Sequence, residues 1–341
     1  MHGVEPHLRR PPLQPAVPVC LAGVVRDLGQ PARRGAAMSH GVQALLRIGR
    51  NTADLDRALA FYCDALGFRV DDANAAPPAW TRLPGAGSPP TRCAQLSLGA
   101  QRLELTEFAD AEPYPADSDS CDLWFQHCAI VVNDMQAVCT RATQHGAAPI
   151  SRDGPQHLPP FTGSVIAWKF RDPDGHPLEL IHFPAGTGDP IWQALHTYAS
   201  TLGIDHSAIS VGDAQRSIAF HELLGLYVAS HGLNRGFEQQ RLDDLDDVEV
   251  DVVALQGTTR APHLELLGYR QPRGRANPST DTTGIAADRV IWQAQGIDVL
   301  LDALTDGDFT DAIIASGFVD GAIVALLRDP DGHLVVLDES E

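Results

Sequence analysis

The feature that most constrains this chain is an internal repeat. A short apolar strand, an acid at a helix start and an amphipathic helix closing on glycine or a polar loop recur four times. The helix-start acids are Asp54, Asp134, Asp213 and Asp298, at intervals of 80, 79 and 85 residues. Such a period is too long for a solenoid and suits a small supersecondary unit. In the second copy, Phe125 to Val132 reads as a strand, Asn133 or Asp134 offers the capping oxygen, and Gly146 ends the helix. Each helix is followed by β-rich stretches with turn signals that end on a strand such as Leu178-Glu179-Leu180, giving β-α-β-β-β. One such unit cannot bury both faces of its sheet, so the units are expected to pair. The expected fold is therefore α+β: four βαβββ modules paired into two cupped mixed-sheet half-barrels. The expected boundaries are 38–116, 117–198, 199–278 and 279–341, after a disordered, Pro- and Arg-rich extension over 1–37.

Laying the copies over one another at the helix-start acid brings out the chemistry. Seven residues before it stand Arg47, His127, His206 and Ile291; near the end of the last strand stand Glu104, Glu179, Glu265 and Val336. Copies two and three alone keep both a histidine and a glutamate. Strand alternation places Glu179 with Ile181 and Phe183, and Glu265 with Leu267 and Tyr269. A carboxylate turned inward among apolar neighbours is costly unless paired or bound to a metal. His127, Glu179, His206 and Glu265 are thus the expected ligands of a divalent ion (Zn, Ni, Co, Mn or Fe), with Glu179 and Glu265 doubling as catalytic bases. This requires module two to pair with three, and one with four. Sequential pairing would instead leave a thinner set of Glu104, His127 and Glu179. Asn234, Gln239, His221 and His176 are read as ordinary loop, helix-face or hairpin residues.

The stretches Asp54 to Gly67, Arg171-Asp-Pro-Asp-Gly-His-Pro-Leu-Glu-Leu180, Ile204 to Asp213 and Arg328 to Val336 resemble signatures of the vicinal oxygen chelate superfamily. That group holds glyoxalase I, extradiol dioxygenases and several epimerases. The resemblance spans about residues 42–340. It implies metal ligands on the first and last strands of paired modules, which fall on His127, Glu179, His206 and Glu265. It also implies proton transfer beside a carbonyl, as in a glyoxalase-like lyase, epimerase or isomerase. The rival readings are a ring-cleaving dioxygenase and a small-molecule-binding resistance protein without turnover.

Composition narrows the partners. A formal charge of −19 argues against nucleic acid, and no run is long and apolar enough for a membrane helix. Lys169 is the only lysine, a poor basis for Schiff-base chemistry. Six cysteines without a CxxC pair fit a reducing cytoplasm. The expected partners are a small-molecule substrate and a second copy in a homodimer.

Overall fold

The computed structural model describes residues 40–195 and 199–340, so the expected extension over 1–37 lies outside the described residues. The first repeat comprises β1 (Gly41–Thr52), α1 (Leu55–Ala60), β2 (Arg69–Asp72), β3 (Arg92–Leu98) and β4 (Gln101–Glu107). The second comprises β5 (Gln126–Val132), α2 (Met135–Gln144), two short strands β6 (Ala148–Pro149) and β7 (Gln156–His157), β8 (Ile166–Arg171) and β9 (Pro177–His182). After α3 (Pro190–Ala194) the third runs through β10 (Thr201–Val211), α4 (Ala214–Leu223), β11 (Tyr227–Arg235), an inserted α5 (Phe237–Asp243), β12 (Glu249–Gln256) and β13 (His263–Gln271). The fourth has β14 (Arg289–Gln295), α6 (Ile297–Asp306), β15 (Ile313–Val319), β16 (Ala322–Arg328) and β17 (Leu334–Asp338).

The first three helices of the repeat begin as expected. Asp54, Asp134 and Asp213 each accept a backbone N–H from the first turn, satisfying donors that the helix leaves free. They stop at Gly67, Gly146 and Gly225, all with positive φ. The fourth differs: its cap is Gly296, and Asp298 lies inside the first turn. Counting seven residues back from that cap reaches Arg289, not Ile291. Strand register agrees, because Arg289 faces Gly49 as His206 faces Ala129. The sequence alignment of copy four is two residues out at this end, since an acid two positions past the cap mimics one. Val336 does occupy the glutamate position, opposite Ile291.

The strands assemble into two mixed sheets, ordered β15-β16-β17-β14-β1-β4-β3-β2 and β11-β12-β13-β10-β5-β9-β8-β6. Modules one and four therefore share one sheet, and two and three the other, each joined by an antiparallel pair of first strands. Cys128, Ile130, Leu178, Leu180, Leu264 and Leu266 turn toward the helices and the main core. Ala129, Val131, Ile181 and Phe183 turn the other way, as do Ala208, Leu267 and Tyr269. No helix among the described residues is long and apolar enough to cross a membrane.

The halves are tied by a buried polar knot. Arg50 donates to the Tyr62 hydroxyl and the Pro177 carbonyl, both at 2.8 Å, and lies 3.3 Å from Asp288. His176 is only 1 % exposed, not the solvated hairpin residue expected. Its Nε2 is 2.7 Å from the Asn51 carbonyl and its Nδ1 2.9 Å from Asp288. His333, in the matching hairpin of module four, meets the Ser210 carbonyl at 2.9 Å. These hairpins turn sharply through Gly175 and Gly332, whose positive φ suits a residue without Cβ.

Candidate metal centre

The four central strands of the second sheet, β13, β10, β5 and β9, each supply one side chain to the face away from the helices. β5 contributes His127, β9 Glu179, β10 His206 and β13 Glu265. Glu179 sits opposite Ala129 and Glu265 opposite Ala208, while His127 also faces Ala208 and His206 faces Ala129. The arrangement is a local twofold in which an alanine opposite each large side chain leaves it room. A register shift between Ile204 and His206 makes Asp205 an extra residue in β10. This bulge lets Ile204 face the helices while His206 and Ala208 face inward.

All four expected residues are brought together. His127 Nε2 is 2.9 Å from Glu179 Oε2, and His206 Nε2 is 3.8 Å from Glu179 and 3.6 Å from Glu265. His127, Glu179 and His206 offer donor atoms within 4.8 Å of one another; Glu265 stands slightly apart. The short His127–Glu179 approach is not aligned as a hydrogen bond. His127 Nε2, His206 Nε2 and both Glu179 oxygens are buried without a hydrogen-bond partner. Buried polar atoms are rarely left so. Two imidazole nitrogens and carboxylate oxygens converging on one point fit a divalent cation of the zinc, cobalt, nickel or manganese kind.

Electrostatics differ from one member of that donor set to the next. Burial, then Lys169, push His127 down to about 4, so it is a neutral imidazole at ordinary pH. Burial alone would raise Glu179, yet the close approach of His127 and His206 outweighs it and holds the carboxyl low. Burial opposes charge on His206, but Glu265, Asp205 and Glu179 together keep its imidazolium well above the usual histidine range. Asp205 Oδ2 accepts from His206 Nδ1 at 2.9 Å, and Trp192 donates to Asp205 at 2.5 Å. A carboxylate behind the ring in this way fixes its orientation and leaves Nε2 for the cluster.

Several neighbours escaped the sequence reading. His263 lies 3.4 Å from Glu265 Oε1; it sits two residues before Glu265, and only strand alternation could have placed it on the same face. Asn234 and Gln239, read as ordinary residues, line the cleft with Lys169, Leu242, Val250, Val252 and Tyr269. His221, also set aside, is wholly buried on α4 and away from the cleft lining.

The other sheet shows the same positions closed. Arg47 and Arg289 replace the histidines, and Val336 replaces one glutamate. The remaining Glu104 accepts from Arg47 Nε at 3.1 Å, Trp80 Nε1 at 3.3 Å and Gln95 at 3.4 Å. Arg289 stacks on the Trp80 ring, 4.1 Å from its centroid. Trp80 packs with Phe108, Ile291, Val324 and Val336, filling the inner face. Glu104 is thus a partner of arginine here, apart from the cluster.

Known proteins share this fold. Residues 44–180 match the family model described as Glyoxalase/Bleomycin resistance protein/Dioxygenase superfamily. A probable lactoylglutathione lyase of Synechocystis is 27 % identical over 140 residues, 41 % of this chain and 92 % of that protein. The crystal structure of glyoxalase I from Zea mays aligns over 86 % of this chain and 92 % of its own, with 21 % identity and a TM-score of 0.59. A putative dioxygenase from Bacillus subtilis aligns over 87 % and 85 %, with 11 % identity and a TM-score of 0.52. These structures share the fold. Residues 44–180 thus form a domain of the glyoxalase/bleomycin resistance/dioxygenase superfamily, within a chain whose described residues make two mixed sheets of the fold these structures share.

Proposed function

We propose that His127, Glu179, His206 and Glu265 hold a divalent metal ion and that the protein catalyses proton transfer beside a carbonyl on a small oxygenated substrate. The observation that carries this reading is the convergence of buried, unpartnered donor atoms of His127, Glu179 and His206 from three adjacent strands, with Glu265 beside them on a fourth. Bound there, the ion would polarise two neighbouring substrate oxygens and stabilise the negative charge that grows as a proton leaves the adjoining carbon. Glu179, clasped between two histidines, is the firmer ligand. Glu265 stands off the tight group and is the better base, because a carboxylate must swing to reach a substrate carbon. Leu242, Val250, Val252 and Leu267 give the cleft dry walls, which strengthen every charge interaction inside.

The test uses purified protein loaded in turn with zinc, cobalt, nickel or manganese. An α-hydroxyketone should take up deuterium from heavy water without oxygen consumption, and Glu265→Gln should stop the exchange. Oxygen uptake with a catechol, dependent on ferrous iron and indifferent to Glu179, would establish the dioxygenase reading instead.

A further inference from the structure

Lys169, the sole lysine of the chain, is not at the surface: its side chain is 4 % exposed. It stands directly opposite Glu179 on the neighbouring strand. Cross-strand partners project to one face, and Lys169 accordingly lines the cleft with His127, Glu179 and Glu265. Its ammonium donates to Asp243 Oδ1 at 2.7 Å. The second oxygen of Asp243 accepts from Gln239 at 2.8 Å and from the Tyr269 hydroxyl at 3.1 Å. With the other two donors, from Gln239 on α5 and Tyr269 on β13, fixing it, this buried carboxylate holds the ammonium in place.

Stability does not explain this device. Desolvating two charges offsets most of what their attraction contributes, and apolar side chains of similar volume often do better. Nor does the fold ask for charge there. The residue opposite the glutamate position is Gln95 in module one, Ala254 in module three and Leu326 in module four. An ammonium carries three protons, and Nζ makes one hydrogen bond among the described residues. The rest are left for a ligand.

We propose that Lys169 forms an anion subsite beside the metal position, and that the substrate carries one anionic group, foremost a carboxylate, within a bond or two of its chelating oxygens. The inference rests on the metal reading given under Proposed function. The valine and leucine walls of the cleft suit a short aliphatic remainder.

The experiment takes the full-length protein loaded with zinc. Metal content is measured first, and then oxalate, an anionic chelator, and acetoin, a neutral one, are titrated calorimetrically. Lys169→Gln should keep its zinc, lose oxalate affinity by roughly ten- to a hundredfold, the scale of one charge-assisted hydrogen bond, and leave acetoin unchanged. Lys169→Arg, which keeps the cation, should retain most of the oxalate affinity. If Lys169→Gln does not fold, Lys169→Met carries the same comparison. Equal loss of both ligands, unchanged oxalate binding, or loss of zinc from the variant would overturn the subsite. Wild-type protein that holds no zinc would sink the metal reading, and the subsite with it; zinc bound but oxalate indifferent to Lys169 sinks the subsite alone.

Discussion

His206 is the residue on which most of the site turns, because it touches both glutamates and leans on Asp205. His206→Ala should strip bound metal, whereas Glu104→Ala, in the closed half, should leave metal content unchanged; elemental analysis of the dialysed proteins decides. Asp205→Asn removes only the group behind the ring and should weaken metal affinity by about ten- to a hundredfold. The raised pKa of His206 adds a sign. Without metal the ring is protonated at neutral pH, and its share of stability is complete below 6.5 and lost as pH rises through the raised value. Metal uptake must expel that proton, so affinity should increase with pH across the same window, with proton release visible by calorimetry in buffers of different ionisation enthalpy. The histidines and glutamates were legible in the sequence because a repeat turns single residues into a pattern. Asp205 and Lys169 were not, because each occurs in one copy only: one is the extra residue of a bulge, the other a charge whose three counterparts are uncharged.

At the scale of elements, the two sheets differ mainly in what lies over their inner faces. In the first, a short turn of 3-10 helix (Ala79–Arg82) drops Trp80 between Glu104 and Arg289. In the second, α5 takes the corresponding place after the second strand of its module and leaves a cleft beside Gln239 and Leu242. Trp80→Ala should cost about 3–5 kcal/mol through lost packing and the cavity left behind, read from denaturant unfolding, while zinc content stays the same. Neither element was visible beforehand: both are short insertions without the period of the surrounding repeat, and their role depends on what they cover. Strands and helices were legible for the opposite reason. Asp caps, glycine stops and alternation act locally, and the one misjudged start, Asp298 for Gly296, came where glycine replaced the usual capping oxygen.

For the whole molecule, the buried knot of Arg50, Tyr62, Asp172, His176 and Asp288 holds the two sheets in register. Burial opposes the His176 charge, but Asp288 and Asp172 outweigh it and raise its pKa; His176 and Arg50 likewise lower that of Asp288 against burial. The His176 share of stability is therefore lost as pH rises through its raised value, and the Asp288 share as pH falls through its lowered one. Between the two the knot contributes most. His176→Ala leaves Asp288 without its imidazolium partner and should cost about 3–5 kcal/mol, with a melting temperature that depends less on pH across that interval. The pairing of sheets could be inferred from ligand counting, but this seam could not, since its members come from three modules and no shared motif marks them. The nesting of modules one and four around two and three also sets a timetable. A chain made from its N-terminus has every strand of the second sheet by Gln271, whereas β1 still lacks β14, which begins at Arg289. The half that bears the cluster is thus the first able to close, and the earliest strand to leave the ribosome waits longest for its mate. Meanwhile Val42, Leu45 and Ile48 ride on an unpaired edge, the kind of surface on which growing chains stick to one another.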